Sequence, residues 1–364
     1  MKKSYRESNI ELLRIVLILM IITHHVIVHG LGLLKIGDVS YQVERPSIYY
    51  QLFINSFVVI SVNTFVFISG YFGIKFKLKT IASLVFQALF YSLFIYLFFV
   101  CFDHSLFGIK SLVKSFLPIS SEMWWFLSIY IGLVFVSPFL NKGVEYIEHN
   151  QLVIILAGLL FFDCFSGFAF NTISGGHSVF HFMTLYLLAR YINKYIPNIK
   201  RALLILSVFT LVLFGSELII LHYNQLSKII MFFSYNNPLI VISSVMLFFI
   251  FKNIKLQNRL VNLVSTAIFG VYLIHDHEFV RKLIIKIISQ LKIHYSGIEF
   301  IFFVIIVILS IFIIGTIIEL SRKYVFDILL DKLATIWNTN NRIQENVRRL
   351  LTYPMRKAGG KTGL

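Results

Sequence analysis

"IELLRIVLILMIITHHVIVHG", residues 10–30, sets an arginine and three histidines inside a run that otherwise reads as hydrocarbon. As a helix rising about 1.5 Å per residue, the run is long enough to cross roughly 30 Å of bilayer interior. The chain around it fits that reading. Of its 364 residues 58% are hydrophobic, 16% aromatic and only 14% charged, and its mean hydropathy is +0.82, far from the balance of a soluble domain. Similar apolar runs recur near 51–73, 80–102, 123–141, 151–170, 178–196, 202–222, 229–251, 262–280 and 299–321. They are continuous and do not alternate apolar with polar at period two, which excludes a β-barrel. The predicted fold is an all-α, polytopic membrane bundle of about ten transmembrane helices.

Basic residues fix an expected orientation. Lys2, Lys3 and Arg6 precede the first span, Lys75, Lys77 and Lys79 follow the second, Lys194, Lys200 and Arg201 the sixth, Lys252, Lys255 and Arg259 the eighth, and Arg322 and Lys323 the tenth. With ten spans all of these fall on one side, so both termini are expected in the cytoplasm. Lys110, Lys114, Arg281, Lys282, Lys286 and Lys292 run against the trend. The net charge of +16 suits anionic lipid headgroups. Its spread over short loops argues against nucleic acid. Cys101 and Cys164 sit in or beside apolar runs, which suggests neither a disulfide nor a metal site. The N-terminal residues carry no small-residue cleavage signal, so the first span is expected to be retained. Residues 1–322 read as the transmembrane domain and 323–364 as a cytoplasmic tail, amphipathic over 325–351.

Arg14 and His25 are eleven residues, about three turns, apart. Both therefore point to nearly the same face, about 16 Å apart along the axis. Glu11 and His29 extend the stripe one turn at either end, and His24 points elsewhere. Arg14 alone reads as snorkelling to phosphate or pairing with Glu11. His25 lies beyond mid-span, where a dehydrated imidazole needs a partner and a reason. Its unperturbed pKa near 6.5 suits it to taking a proton from a hydroxyl.

With those residues stand "FVFISGYFGIK" (65–75), "WWFLSIYIGLVFVSPFLN" (124–141) and "FGVYLIHDHEFV" (269–280). In this order they resemble acyltransferase family 3, integral membrane proteins that modify cell-surface polysaccharides, and the likeness runs from about residue 8 to 320. The resemblance implies transfer of an acyl group, usually acetyl from acetyl-coenzyme A, to a sugar hydroxyl in a bacterial plasma membrane. Arg14 and His25 are the catalytic residues it implies, with Glu11, His24 and His29 in support. Members often carry a pair of arginines after the Ser-Gly turn, where this chain has Lys75, Lys77 and Lys79. Lysine attracts phosphate but lacks the guanidinium fork. With Arg190 these lysines form the expected donor-binding group. No fused extracytoplasmic domain is expected in the short tail.

Other groups carry two readings each. Ser69 and Gly70 form a helix stop, or let backbone approach a ligand. Glu122, Trp124 and Trp125 belong to an interfacial belt, or to a sugar-stacking face on the acceptor side. His275 and Asp276, with His277, either line that acceptor side or cap a helix. Asp163, Arg190 and Glu217 call for partners across the bundle. His177 and His181 share metal-ligand spacing, but no acid or thiol joins them in sequence, and no metal is expected. The leading expectation is a membrane O-acetyltransferase using acetyl-coenzyme A, with a polysaccharide or lipid-linked glycan as acceptor and membrane lipids around it. The alternative is a transporter or flippase, because buried ionisable residues also mark transport pathways.

Overall fold

The computed structural model describes residues 7–33, 45–170 and 173–352, the side chains of 45–46, 226–227 and 327–352 excepted. Lys2, Lys3, Arg6 and the last twelve residues lie outside the described part. Among the described residues every regular element is helical: α1 (Ser8–His25), α2 (Arg45–Val58), α3 (Ser61–Phe72), α4 (Leu78–Phe102), α5 (Ile109–Phe116), α6 (Trp125–Tyr146), α7 (His149–Leu160), α8 (Gly167–Ala169), α9 (Val179–Tyr195), α10 (Ala202–His222), α11 (Leu226–Phe232), α12 (Pro238–Lys252), α13 (Arg259–Val264), α14 (Ile268–His275), α15 (Glu278–His294) and α16 (Gly297–Thr352).

Among the described residues seven segments are long and apolar enough to cross a membrane: Ser8–Gly30, Ser47–Phe72, Leu78–Phe102, Trp125–Tyr146, His149–Ala169, Ala202–His222 and Gly297–Phe326. Each coincides with a predicted span, and the chain is a multi-pass membrane protein. The remaining three predicted spans are shorter helices. The sixth is α9. The eighth was expected from 229, yet α12 begins at Pro238, because Asn237 caps it by accepting from the Leu239 amide and proline suits a first-turn position. The apolar residues before that cap form the separate helix α11. The ninth was expected to reach 280 but ends at His275, and the chain turns at Asp276–His277 before amphipathic α15.

Two compact units divide the chain, Met1–Gly315 and Thr316–Leu364. In the second, Arg322 grips Glu319 through two 2.8 Å hydrogen bonds. In the first, α3 packs against α9, α12 and α1, and α1 also meets α12. Leu13, Leu17, Val66, Phe67, Phe182, Tyr186, Phe248 and Phe249 are fully buried there. Peripheral helices instead turn large apolar residues outward, such as Phe86, Phe94, Leu97 and Phe98 on α4 and Leu203, Leu204, Leu211 and Val212 on α10. Such outward faces fit hydrocarbon rather than water.

Local exceptions to α-helix have identifiable causes. Pro138 inside α6 cannot donate to the Val134 carbonyl, and the Ser137 hydroxyl takes that carbonyl at 2.8 Å. Two π-helical turns follow α1 and α7, at Val26–Gly30 and Phe161–Ser166. Each lies at a cluster of ionisable side chains, where such bulges re-aim residues.

Candidate active site

On α1 the residues Arg14, Ile18, Ile21 and His25, spaced by four, three and four, line one cavity of about 340 Å³. Ser69, Phe126, Tyr130 and Tyr272 contribute to its walls. A second cavity, of about 730 Å³, lies at the other end of α1 and is lined by His24, His25, His29, Trp125, His177, Ser234, Tyr235, Asp276 and Arg281 among others. His25, Trp125 and Tyr235 are the residues the two cavities have in common. The stripe read from spacing thus lines one cavity as far as His25, and His25 also stands in the wall of the second.

The hydrogen bonds around His25 settle which ring nitrogen is free. His275 Nδ1 stands 2.8 Å from the Val271 carbonyl oxygen, which can only accept, so that nitrogen carries the proton. With one proton per ring, His275 Nε2 is then an acceptor. His25 Nδ1 lies 3.1 Å from it and donates. His25 Nε2 is left with its lone pair, the state a general base requires. Asp276 Oδ1 stands 3.5 Å from both His25 Nδ1 and Arg281 Nη1. Burial pushes the Asp276 carboxyl up to about 7, with the Arg281 guanidinium pulling it back.

The acyltransferase domain family matches residues 7–319, nearly the whole membrane part of the chain. The chain belongs to this acyltransferase family. Neither a curated protein nor a solved structure matches it. His25 is one of the residues at which the two cavities of this acyltransferase meet.

Around that point the acyltransferase places the other expected residues unequally. Glu11 pairs with Arg14 at 3.4 Å, and Arg14 lines the smaller cavity as well. His24, expected to point elsewhere, lines the larger cavity beside His25, its Nδ1 donating to Asn55 Oδ1 at 2.7 Å. Neighbouring residues on a helix lie about 100° apart, and this cavity is wide enough to wrap both directions. His29 also lines it. Trp125 faces both cavities, whereas Trp124 is 1% exposed and Glu122 is exposed, neither lining either cavity. His277 caps α15, accepting from the Phe279 amide.

Lys75, Lys77 and Lys79 are exposed, and neither they nor Arg190 line either cavity. Ser69 and Gly70, expected as a helix stop, lie inside α3, which runs on to Phe72, and there serve packing. A Cβ on Gly70 would stand 2.8 Å from Ala189 Cβ and from the Tyr186 carbonyl oxygen, so only glycine lets α3 approach α9 this closely. Gly73 turns the chain at φ +76. The Ile74 amide then donates to the Tyr186 hydroxyl, which donates to Asn141 Oδ1. Ser69 lines the smaller cavity, its hydroxyl donating to the Phe65 carbonyl and accepting from Tyr130.

Both His181 nitrogens are engaged, Nδ1 with Asp163 Oδ2 at 2.7 Å and Nε2 with Asn63 Oδ1 at 3.1 Å, so His181 has no lone pair turned toward His177. Asn63 Nδ2 donates in turn to the Tyr235 carbonyl at 2.7 Å. Glu217 meets the Ser56 hydroxyl at 3.0 Å, a neutral partner on α2 in place of a charged one. Sequence reasoning missed Tyr235, Ser234 and Arg281 as lining residues. The Tyr-Asn-Asn-Pro string at 235–238 was the available signal for the first two, since a turn there exposes side chains just before a helix cap. Arg281 read as one of a loop group and gave none.

Proposed function

We propose that this acyltransferase moves acetyl from cytoplasmic acetyl-coenzyme A to a hydroxyl of a surface or lipid-linked polysaccharide in a bacterial plasma membrane. The observation that carries the reading is His25, whose ring is shared by the Arg14 cavity and the wider polar cavity. Arg14 and His25 stand about 16 Å apart along α1, the length scale of an extended phosphopantetheine arm. Arg14 therefore holds the donor, with Arg190 and the exposed lysines that follow α3 attracting its phosphates. At that distance it does not reach the reacting carbonyl.

His25 Nε2 takes the proton from the acceptor hydroxyl as the oxygen attacks the thioester carbonyl carbon. The carbon–sulfur bond breaks, the new carbon–oxygen ester bond remains, and the departing thiolate takes the proton back from Nε2. Nδ1 stays hydrogen-bonded to His275, with Asp276 facing the imidazolium that forms in between. The larger cavity supports a sugar acceptor, since it offers histidine and serine side chains for hydroxyls and the Trp125 and Tyr235 faces for stacking.

The test is purified protein, labelled acetyl-coenzyme A and glycan prepared from a strain lacking the gene. Wild-type protein is expected to label the glycan, and His25→Ala to lose about 10²- to 10⁴-fold at unchanged protein abundance. Wild-type protein that leaves acetyl-coenzyme A untouched, or His25→Ala at full rate, sinks the assignment.

A further inference from the structure

The two cavities meet at three residues, and two of them, Trp125 and Tyr235, are aromatic. The Trp125 ring stacks on Tyr235 with centroids 5.5 Å apart at 24° and meets the His177 ring at 4.3 Å. Phe182 closes against its edge at 6.3 Å. Tyr235 is 6% exposed and fixed at both backbone groups, its amide donating to the Gly175 carbonyl at 2.9 Å and its carbonyl held by Asn63. Behind Asn63 stands the fully buried Asp163–His181 pair. Trp125 is different: it opens α6, only partly buried. One plate is clamped and the other sits at a helix start.

We propose that Trp125, stacked on the clamped Tyr235, is the barrier that closes the Arg14 cavity from the His177 cavity beside His25. It rests on the donor and acceptor sides assigned above. A thioester arriving at His25 from the Arg14 side lies within reach of a base, and water entering from the wide polar cavity would be activated as readily as a sugar hydroxyl. The hydrolysis so permitted would release acetate and free coenzyme A without modifying any glycan. An indole across the opening removes that route until an acceptor fills the wider cavity and takes over the exclusion of water. Trp125 is thus a positioning and shielding residue, not a proton carrier.

The experiment reads accessibility and chemistry separately. With Cys101 and Cys164 replaced by alanine, Ser69→Cys marks the Arg14 cavity and Ser234→Cys the His177 cavity. Intact cells are treated from outside with a membrane-impermeant maleimide. Expected is labelling of Ser234→Cys alone when Trp125 is present, with Ser69→Cys labelled in addition, at least about tenfold faster, in Trp125→Gly. Trp125→Phe, a milder change, should give an intermediate rate. Equal labelling of Ser69→Cys with and without Trp125 overturns the barrier. Labelling of Ser69→Cys but not Ser234→Cys in the Trp125 protein overturns the sidedness of the proposed function while the barrier stands. On purified protein without acceptor, Trp125→Gly should raise acetyl-coenzyme A hydrolysis by about tenfold or more. Hydrolysis at the wild-type background, in a variant whose Ser69→Cys has become accessible, overturns the shielding role.

Discussion

The proposed role of His25 as a base needs a free Nε2, and what keeps Nε2 free is a hydrogen bond two groups away, from His275 to the Val271 carbonyl. His275→Ala removes the acceptor for His25 Nδ1 and frees the ring to flip tautomer. The expected loss is about 10–100-fold in kcat, as for other orienting partners of a functional imidazole. His275→Gln, whose amide oxygen can still accept, should recover part of it, and equal rates in the two variants would refute the relay. Asp276 adds a pH dependence. Its carboxyl titrates near 7 because burial disfavours the charge. Below that value it holds a proton and faces His25 without charge; above it the charge is present to balance the imidazolium. The transfer rate should therefore rise through about pH 7 and level off, and Asp276→Asn should lower the plateau and erase that limb of the kcat profile. Arg14 and His25 were legible from spacing because helical periodicity fixes which side chains share a face. His275 as partner was not, since 250 residues separate the two rings.

At the scale of elements, the contact between α3 and α9 depends on Gly70, whose missing side chain leaves no room for any other. Gly70→Val would have to push the helices apart at Ala189 and Tyr186. A loss of about 1–3 kcal/mol is expected from overpacking, read as a lower Tm in detergent, with acyl transfer falling as Ser69 moves. An unchanged Tm would mean that the helices separate freely. The Ser-Gly pair reads in the sequence as a helix stop, yet α3 runs on to Phe72 and the pair is a seam, because a small residue near the end of an apolar run looks the same whether it stops a helix or admits a neighbouring one. The span starting at Pro238 teaches the same. Its cap, Asn237 followed by proline, is written in the chain, but the apolar residues at 229–233 made one long run of two helices. Hydropathy alone cannot place a boundary that a hydrogen bond makes.

For the molecule as a whole, the Asp163–His181–Asn63 chain ties together a π-helical turn, α9, α3 and the backbone of Tyr235. Asn236 reaches back to the Asp163 carbonyl at 3.0 Å, closing the circuit. Asn63 is oriented by its donation to Tyr235, so its oxygen faces His181. Both His181 nitrogens thus face side-chain oxygens, Asp163 Oδ2 and Asn63 Oδ1. The composition announced the bundle because hydrocarbon demands such apolar spans, while this circuit stayed hidden among residues that each looked like an isolated buried polar group. Asp163→Ala leaves His181 with an unmatched donor at zero exposure, and removing one partner of a buried pair costs about 3–5 kcal/mol. The expected result is a large fall in Tm together with greater outside access to Ser69→Cys, because the Tyr235 plate loses its backing. His181→Gln, neutral and able to donate to either neighbour, should keep more of both. Asp163→Ala protein that melts like wild type would show that the circuit carries no stability, and a melted protein with Ser69 still shielded would uncouple the circuit from the Trp125 barrier.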